Sequence, residues 1–160
     1  MSYHIYTTQG IILKRTPFGE ANILVHILTR DLGLIMASAQ SARQTKSKLS
    51  SALSEFSEVT VSCIKGKKGW KLTDARSNLN FYFAYPEHVR SMLALISSLL
   101  FKMIPDEAVD FEIYETVHSG FTFLKNITKE NIQNFECLIV LRILFYLGYV
   151  VRDSSTEKFL

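Results

Sequence analysis

The feature that most constrains this chain is a change of period near residue 80. Before it, apolar residues alternate with a period of two, broken by Gly and Pro; after it, they recur at spacings of three and four. From Ile5 to Arg15 the chain is rich in β-branched and aromatic residues, and Thr16-Pro17-Phe18-Gly19 supplies a turn. Ala21–Thr29 is apolar on both faces, with Ile23, Val25 and Ile27 on one and Leu24, His26 and Leu28 on the other. Such a strand needs cover on both sides, which suits a small barrel better than an exposed edge. Arg30–Gly33 predicts a hairpin turn and Leu34–Ala39 a third strand. Phe56–Lys65 forms a fourth with Val59, Val61 and Cys63 on one face, Gly66-Lys67-Lys68-Gly69 a tight turn, and Trp70–Arg76 a fifth.

The second half reads as helices. Pro86 fits the first turn of one running to about Ile104, with Val89, Met92, Leu93, Ile96, Leu99, Leu100 and Met103 as its apolar stripe. Pro105 ends it. A second is predicted from Asp106 to about Asn126, with Asp106, Glu107 and Asp110 near its positive end and Ile113, Val117, Phe121 and Leu124 facing inward. Gly120 counts against it. A third runs from about Lys129 to Leu147 on Phe135, Leu138, Leu141, Ile143 and Leu144, and stops at Gly148. The expected division is a barrel over residues 1–80 and a small helical domain over 81–160.

A hydrophobic fraction of 48% and a mean hydropathy of +0.12 indicate a chain that buries a core. Cys63 and Cys137, far apart and in apolar surroundings, predict buried free thiols in a reducing compartment. The N-terminus lacks the pattern of a signal peptide, and the apolar run Cys137–Leu147 is interrupted by Arg142 and too short to span a bilayer. The expectation is a soluble cytoplasmic protein with no membrane contact. The four histidines are scattered, and Glu107, Asp110, Glu112 and Glu115 read as the solvated face of a helix. With no phosphate-binding or dinucleotide-binding glycine motif either, the chain is expected not to be an enzyme and to hold no metal or cofactor.

Charge is unevenly placed. Residues 1–76 carry 11 Lys+Arg against 5 Asp+Glu, and residues 77–160 carry 7 against 10, within a net charge of +3. In Ser38–Phe56, Arg43, Lys46 and Lys48 appear with no acid before Glu55. This stretch is either a solvated loop with a short amphipathic turn at Leu49 and Leu53, or a place where a polyanion is neutralised. Five strands with a longer connection between the third and fourth match the five-stranded OB-fold, which holds oligonucleotides on strands 2 and 3 and on the loops joining strands 1–2 and 4–5. Here the first loop is flanked by Lys14 and Arg15 and carries Phe18; the second carries Lys65, Lys67, Lys68, Trp70 and Lys71. Phe18 and Trp70 are candidates for base stacking, although the favoured reading of each is packing, Trp70 in the core of strand 5 and Phe18 back onto the barrel.

Gly10-Ile-Ile-Leu-Lys14, Phe18-Gly19-Glu20, Leu28-Thr29 with Leu32-Gly33, Ala42-Arg43 with Lys46-Ser47, Leu53 with Phe56, and Arg142 with Leu147-Gly148-Tyr149 follow one another across residues 5–150. In this order the chain resembles the RecO family of bacterial recombination mediators, in a short form comprising the N-terminal barrel and first helices. The resemblance implies a cytoplasmic protein of DNA repair and recombination that binds single- and double-stranded DNA and anneals complementary strands. It also implies contact with the tail of single-strand-binding protein through the helical part, action with RecR, and an indirect role in loading RecA. Arg43 and Lys46 match basic positions of the family's connection between strands, and Lys14 and Arg15 its first strand. Some members carry a four-cysteine zinc site beyond the Leu-Gly-Tyr segment; this chain has no such cysteines, so zinc is not expected. Apart from the resemblance, an OB-fold module for RNA and an interaction scaffold that binds no nucleic acid remain open readings.

Overall fold

The computed structural model describes residues 4–43, 47–105, 107–108, 110–153 and 156–160, and the side chain of Lys48 is not described. Five strands come first: β1 (Ile5–Phe18), β2 (Asn22–Thr29), β3 (Gly33–Ala39), β4 (Ser57–Gly66) and β5 (Gly69–Asn80). They close into a barrel in the order β1-β2-β3-β5-β4. All pairs are antiparallel except β3 with β5, which meet in parallel at Ala37↔Trp70 and Ser38↔Lys71. Between β3 and β4, helix α1 (Lys48–Ala52) contributes Ala52, and Leu53 follows it, to the same buried cluster as the barrel interior.

The alternation in β2 is resolved by two different cores. Ile23, Val25 and Ile27 line the inside of the barrel with Val59, Val61 and Cys63. Burial raises the Cys63 thiol to about 11, so this cysteine is a packing residue and not a thiolate. Leu28 points outward and joins Ile11, Leu13 and Leu34 in the helical core. β1 serves both cores through a bulge at Leu13: Ile12 pairs with Ile27 and faces in, Leu13 has no partner of its own and faces out, and Lys14 pairs with His26. The turn expected at Thr16–Gly19 begins later, because β1 continues in register to Phe18↔Asn22.

The helical layer consists of α2 (Phe81–Ala84), α3 (Glu87–Met103), α4 (Phe111–Phe123) and α5 (Ile132–Tyr146), with two short 3-10 turns between the last two. Val89, Met92, Leu93, Ile96 and Leu100 of α3 are buried, as the stripe predicts. α4 starts later than expected. Asp110 caps it by accepting from the Ile113 N–H at 3.1 Å, while Asp106 lies outside the described residues. Gly120 belongs in this helix for a reason of space: a Cβ there would stand 2.7 Å from Ile139 Cδ1 of α5. In α5 the buried stripe is Phe135, Ile139 and Ile143, so Leu138, Leu141 and Leu144 are only half-buried, and Cys137 is exposed rather than buried as expected.

Two of the acids read as a solvated face, Glu107 and Glu115, pair with the barrel. Glu115 lies 3.7 Å from Arg30 of the barrel. Glu107 lies in the segment between α3 and α4, at a left-handed φ of 61°, and its N–H donates to Leu34 O at 2.8 Å, on the side of β3 that β5 pairs only at Ala37 and Ser38. Its carboxylate accepts from Lys65 Nζ at 2.5 Å and from Trp70 Nε1 at 2.9 Å. The hydrogen bond from Lys65, then that from Trp70, hold its carboxyl below the usual carboxylate range.

Two outcomes follow from this packing. Phe81 is fully buried and meets Phe121 edge-on at 5.4 Å, so Phe81→Ala is expected to cost about 3–5 kcal/mol in chemical denaturation; a loss within about 1 kcal/mol would contradict the shared core. Glu107 has a depressed pKa in the folded state, so its stabilisation is present above about 4.5 and fades as pH falls through the folded value. The thermal midpoint of Glu107→Gln should therefore lie below that of the wild type at pH 7, and the gap should close towards pH 3; a gap independent of pH would exclude the ionised latch.

Candidate nucleic-acid interface

Three loops carry exposed basic residues of the barrel. The connection leaving β3 folds against the β1–β2 loop: Arg43 N–H donates to Ala21 O at 2.9 Å, Arg43 Nη1 to Gly19 O at 3.1 Å, and Ser41 N–H to Asn22 Oδ1 at 2.9 Å. The guanidinium is thus positioned by backbone carbonyls and stays exposed. Barrel closure then sets the first residues of β5 beside the last residues of β3, since Lys71 pairs with Ser38. Lys67 and Lys68 precede this pair on the β4–β5 turn, which runs back towards the start of β3, and there Gly69 takes a φ of 104°. Arg43, Lys67, Lys68 and Lys71 are all exposed, and no ion pair engages them among the described residues.

The other nominated cations are placed differently. Lys65 is held by Glu107 and lies 5.3 Å over the Trp70 ring, so its charge is largely answered within the chain. Lys14 is exposed and lies over the Phe101 ring of α3 at 5.1 Å, beside the helical layer. Arg15 is half-buried inside β1, its Nη1 donating to Ser50 O at 3.4 Å and its N–H to Glu55 Oε1 at 2.9 Å. Lys46 lies outside the described residues, and Lys48 opens α1.

The two aromatic candidates separate. Trp70 is only 7% exposed, packs in the barrel core edge-on to Tyr6, and spends its N–H on Glu107. A ring so enclosed has no open face for a base, so its assignment as a stacking residue is corrected to a core residue. Phe18 is 53% exposed at the end of β1, beside Gly19 and its left-handed φ of 61°.

The sequence reading passed over an aromatic run on α2. Asn80 accepts from the Phe83 N–H at 3.1 Å and donates to Glu55 O and Ser57 Oγ, which fixes this single turn against β4. With Phe81 buried beneath it, Tyr82 and Phe83 are turned outward. Arg90 of α3 donates through Nε to Tyr82 O at 3.1 Å and lies over the Tyr82 ring at 4.6 Å. The signal was the run Phe-Tyr-Phe straight after the last strand: three consecutive aromatics on one helical turn cannot share one buried face.

The family model described as "Recombination protein O N terminal" matches residues 1–77, the barrel almost to the end of β5. A DNA repair protein RecO from Dehalococcoides mccartyi is 34% identical over 132 residues, covering 79% of this chain and 50% of the relative. One from Thermodesulfovibrio yellowstonii is 26% identical over 164 residues, covering 96% and 65%, and one from Gloeobacter violaceus is 35% identical over 81 residues, covering 51% and 31%. The chain spans about half the length of the curated relatives it matches. With the family's N-terminal domain on its barrel and relatives that run on through its helices, the chain belongs to the RecO family.

Proposed function

We propose that this chain is a DNA-binding mediator of recombinational repair that binds single- and double-stranded DNA and anneals complementary strands. The observation that carries the reading is an exposed set of cations, Arg43, Lys67, Lys68 and Lys71, on the rim of the barrel that matches the recombination protein O N-terminal family. The strand order supports reading the barrel as an OB-fold, whose binding loops are those joining strands 1–2 and 4–5. Lys46 and Lys48 extend the same connection in sequence. Annealing requires no bond chemistry: neutralising phosphates on two strands lowers their repulsion and holds them close enough to pair, so no enzymatic activity is assigned.

On this reading residues 1–80 form the nucleic-acid module, residues 81–160 the helical module, and the protein acts in the cytoplasm with RecR to help load RecA. Contact with the tail of single-strand-binding protein is assigned to the helices. A cavity of about 230 Å³ between α4 and α5, lined by Gly120, Phe123, Phe135, Ile139 and Arg142 among others, pairs an apolar wall with one cation, which suits an apolar peptide end bearing a carboxylate.

The test replaces Lys67, Lys68 and Lys71 together with Ala and measures single-strand affinity against salt. These residues are exposed, so folding is expected to be unaffected. Binding should weaken and the slope of log K against log salt should flatten by about two units, from about 0.7 per lost contact on a single strand. An unchanged slope would remove these lysines from the interface.

A further inference from the structure

From the packing around α2 we infer a base-binding site, separate from the phosphate-binding rim, in which Phe83 stacks against a base of single-stranded DNA and Arg15 and Arg90 receive its phosphates. The inference rests on the single-strand-binding reading above and extends it to a specific hollow. Phe83 is 76% exposed beside exposed Tyr82, and its ring contact among the described residues is an edge-on one with Tyr82 at 5.5 Å. The Tyr82 edge meets one side of the Phe83 ring, and the rest of the ring is open to solvent. Tyr82 is engaged and rigid, stacked on Phe56 at 6.1 Å with the Arg90 guanidinium over it at 4.6 Å, and it acts as the buttress that orients Phe83.

The surrounding chemistry selects the ligand. Phe83 borders a hollow of about 420 Å³ whose other walls are Arg15, Ser54, Glu55, Phe56 and Tyr82. An apolar peptide side chain needs no cations here, whereas a nucleotide needs both an aromatic face and a positive partner. Arg90 places one cation beside the aromatic pair and Arg15 a second on the hollow's wall, which supplies that complementarity. The Glu55 carboxylate excludes a phosphate from the hollow itself, so the base enters and the phosphates stay at the arginines. One Glu55 oxygen already accepts the Arg15 N–H; the carboxylate retains capacity to accept from an amino group on a base edge. Duplex DNA presents no free base face, so the site serves single strands only.

The experiment compares wild type, Phe83→Ala and Phe83→Trp for binding to a labelled mixed-sequence single strand and to its duplex. Phe83→Ala should weaken single-strand binding about tenfold with an unchanged salt slope, unchanged duplex binding and an unchanged thermal midpoint. Phe83→Trp should restore affinity, and its fluorescence should be quenched by the single strand; the native Trp70 is buried and contributes a background read from the wild type. Wild-type affinity in Phe83→Ala, or an unquenched Phe83→Trp that still binds, overturns the site while leaving the binding reading intact. A wild-type chain that binds no single strand overturns the binding reading, and this site with it.

Discussion

The structure depends on strands that are dry on both faces. Inside, β1, β2 and β3 share a barrel core with β4 and β5; outside, Ile11, Leu13, Leu28 and Leu34 are part of the core of the helical layer. An open sheet would leave those outward residues in water, and the apolar stripe of α3 would have no cover. Each burial requires the other, so the helices are a second wall of the barrel rather than an appendage. The chain conforms to this at some local cost: Phe56 and Glu107 both take left-handed φ values of 61° where barrel and helices meet. Both are held by backbone bonds across the junction, Phe56 N–H to Ile12 O and Glu107 N–H to Leu34 O, each at 2.8 Å.

That second wall also decides where a ligand can sit. Its Phe101 ring lies under the ammonium of Lys14, which stays exposed, and the Glu107 segment that continues from it neutralises Lys65. What remains open is the rim, where Arg43 is steered by the first loop, and the β4–β5 turn with Lys67, Lys68 and Lys71. Charge counted along the sequence treats all nine nominated cations alike. Folding separates those that pair within the molecule from those that remain for a partner.

Much of the architecture was legible because period is a local property. All five strands and the three long helices lie where alternation and three-to-four spacing place them, with ends shifted by a few residues. The errors have physical sources. The first turn was placed at Pro17, yet proline is tolerated at that strand end and β1 runs on to Phe18. Glu107 looked like a helix-start acid because its neighbours are acidic, whereas its role is set by Lys65 and Trp70, 42 and 37 residues away. Trp70 beside lysines admitted stacking as a second reading, and strand alternation turns it inward, in line with its reading as a core residue of the fifth strand. The α2 turn was missed because four residues carry no measurable period, and only the fold reveals that Phe81 is buried while Phe83 is not.

The central claim is that DNA meets the open rim and the α2 turn without disturbing the shared core. Hydrogen–deuterium exchange of the whole chain, with and without a single-stranded oligonucleotide at low salt, tests it most directly. The account predicts slower exchange in residues 40–43, 66–72 and 81–85, with β2, β3 and α3 unchanged. Faster exchange in α3, or new protection at residues 26–28 and 34–35, would mean that the helices move aside to expose the sheet. That result would contradict the account.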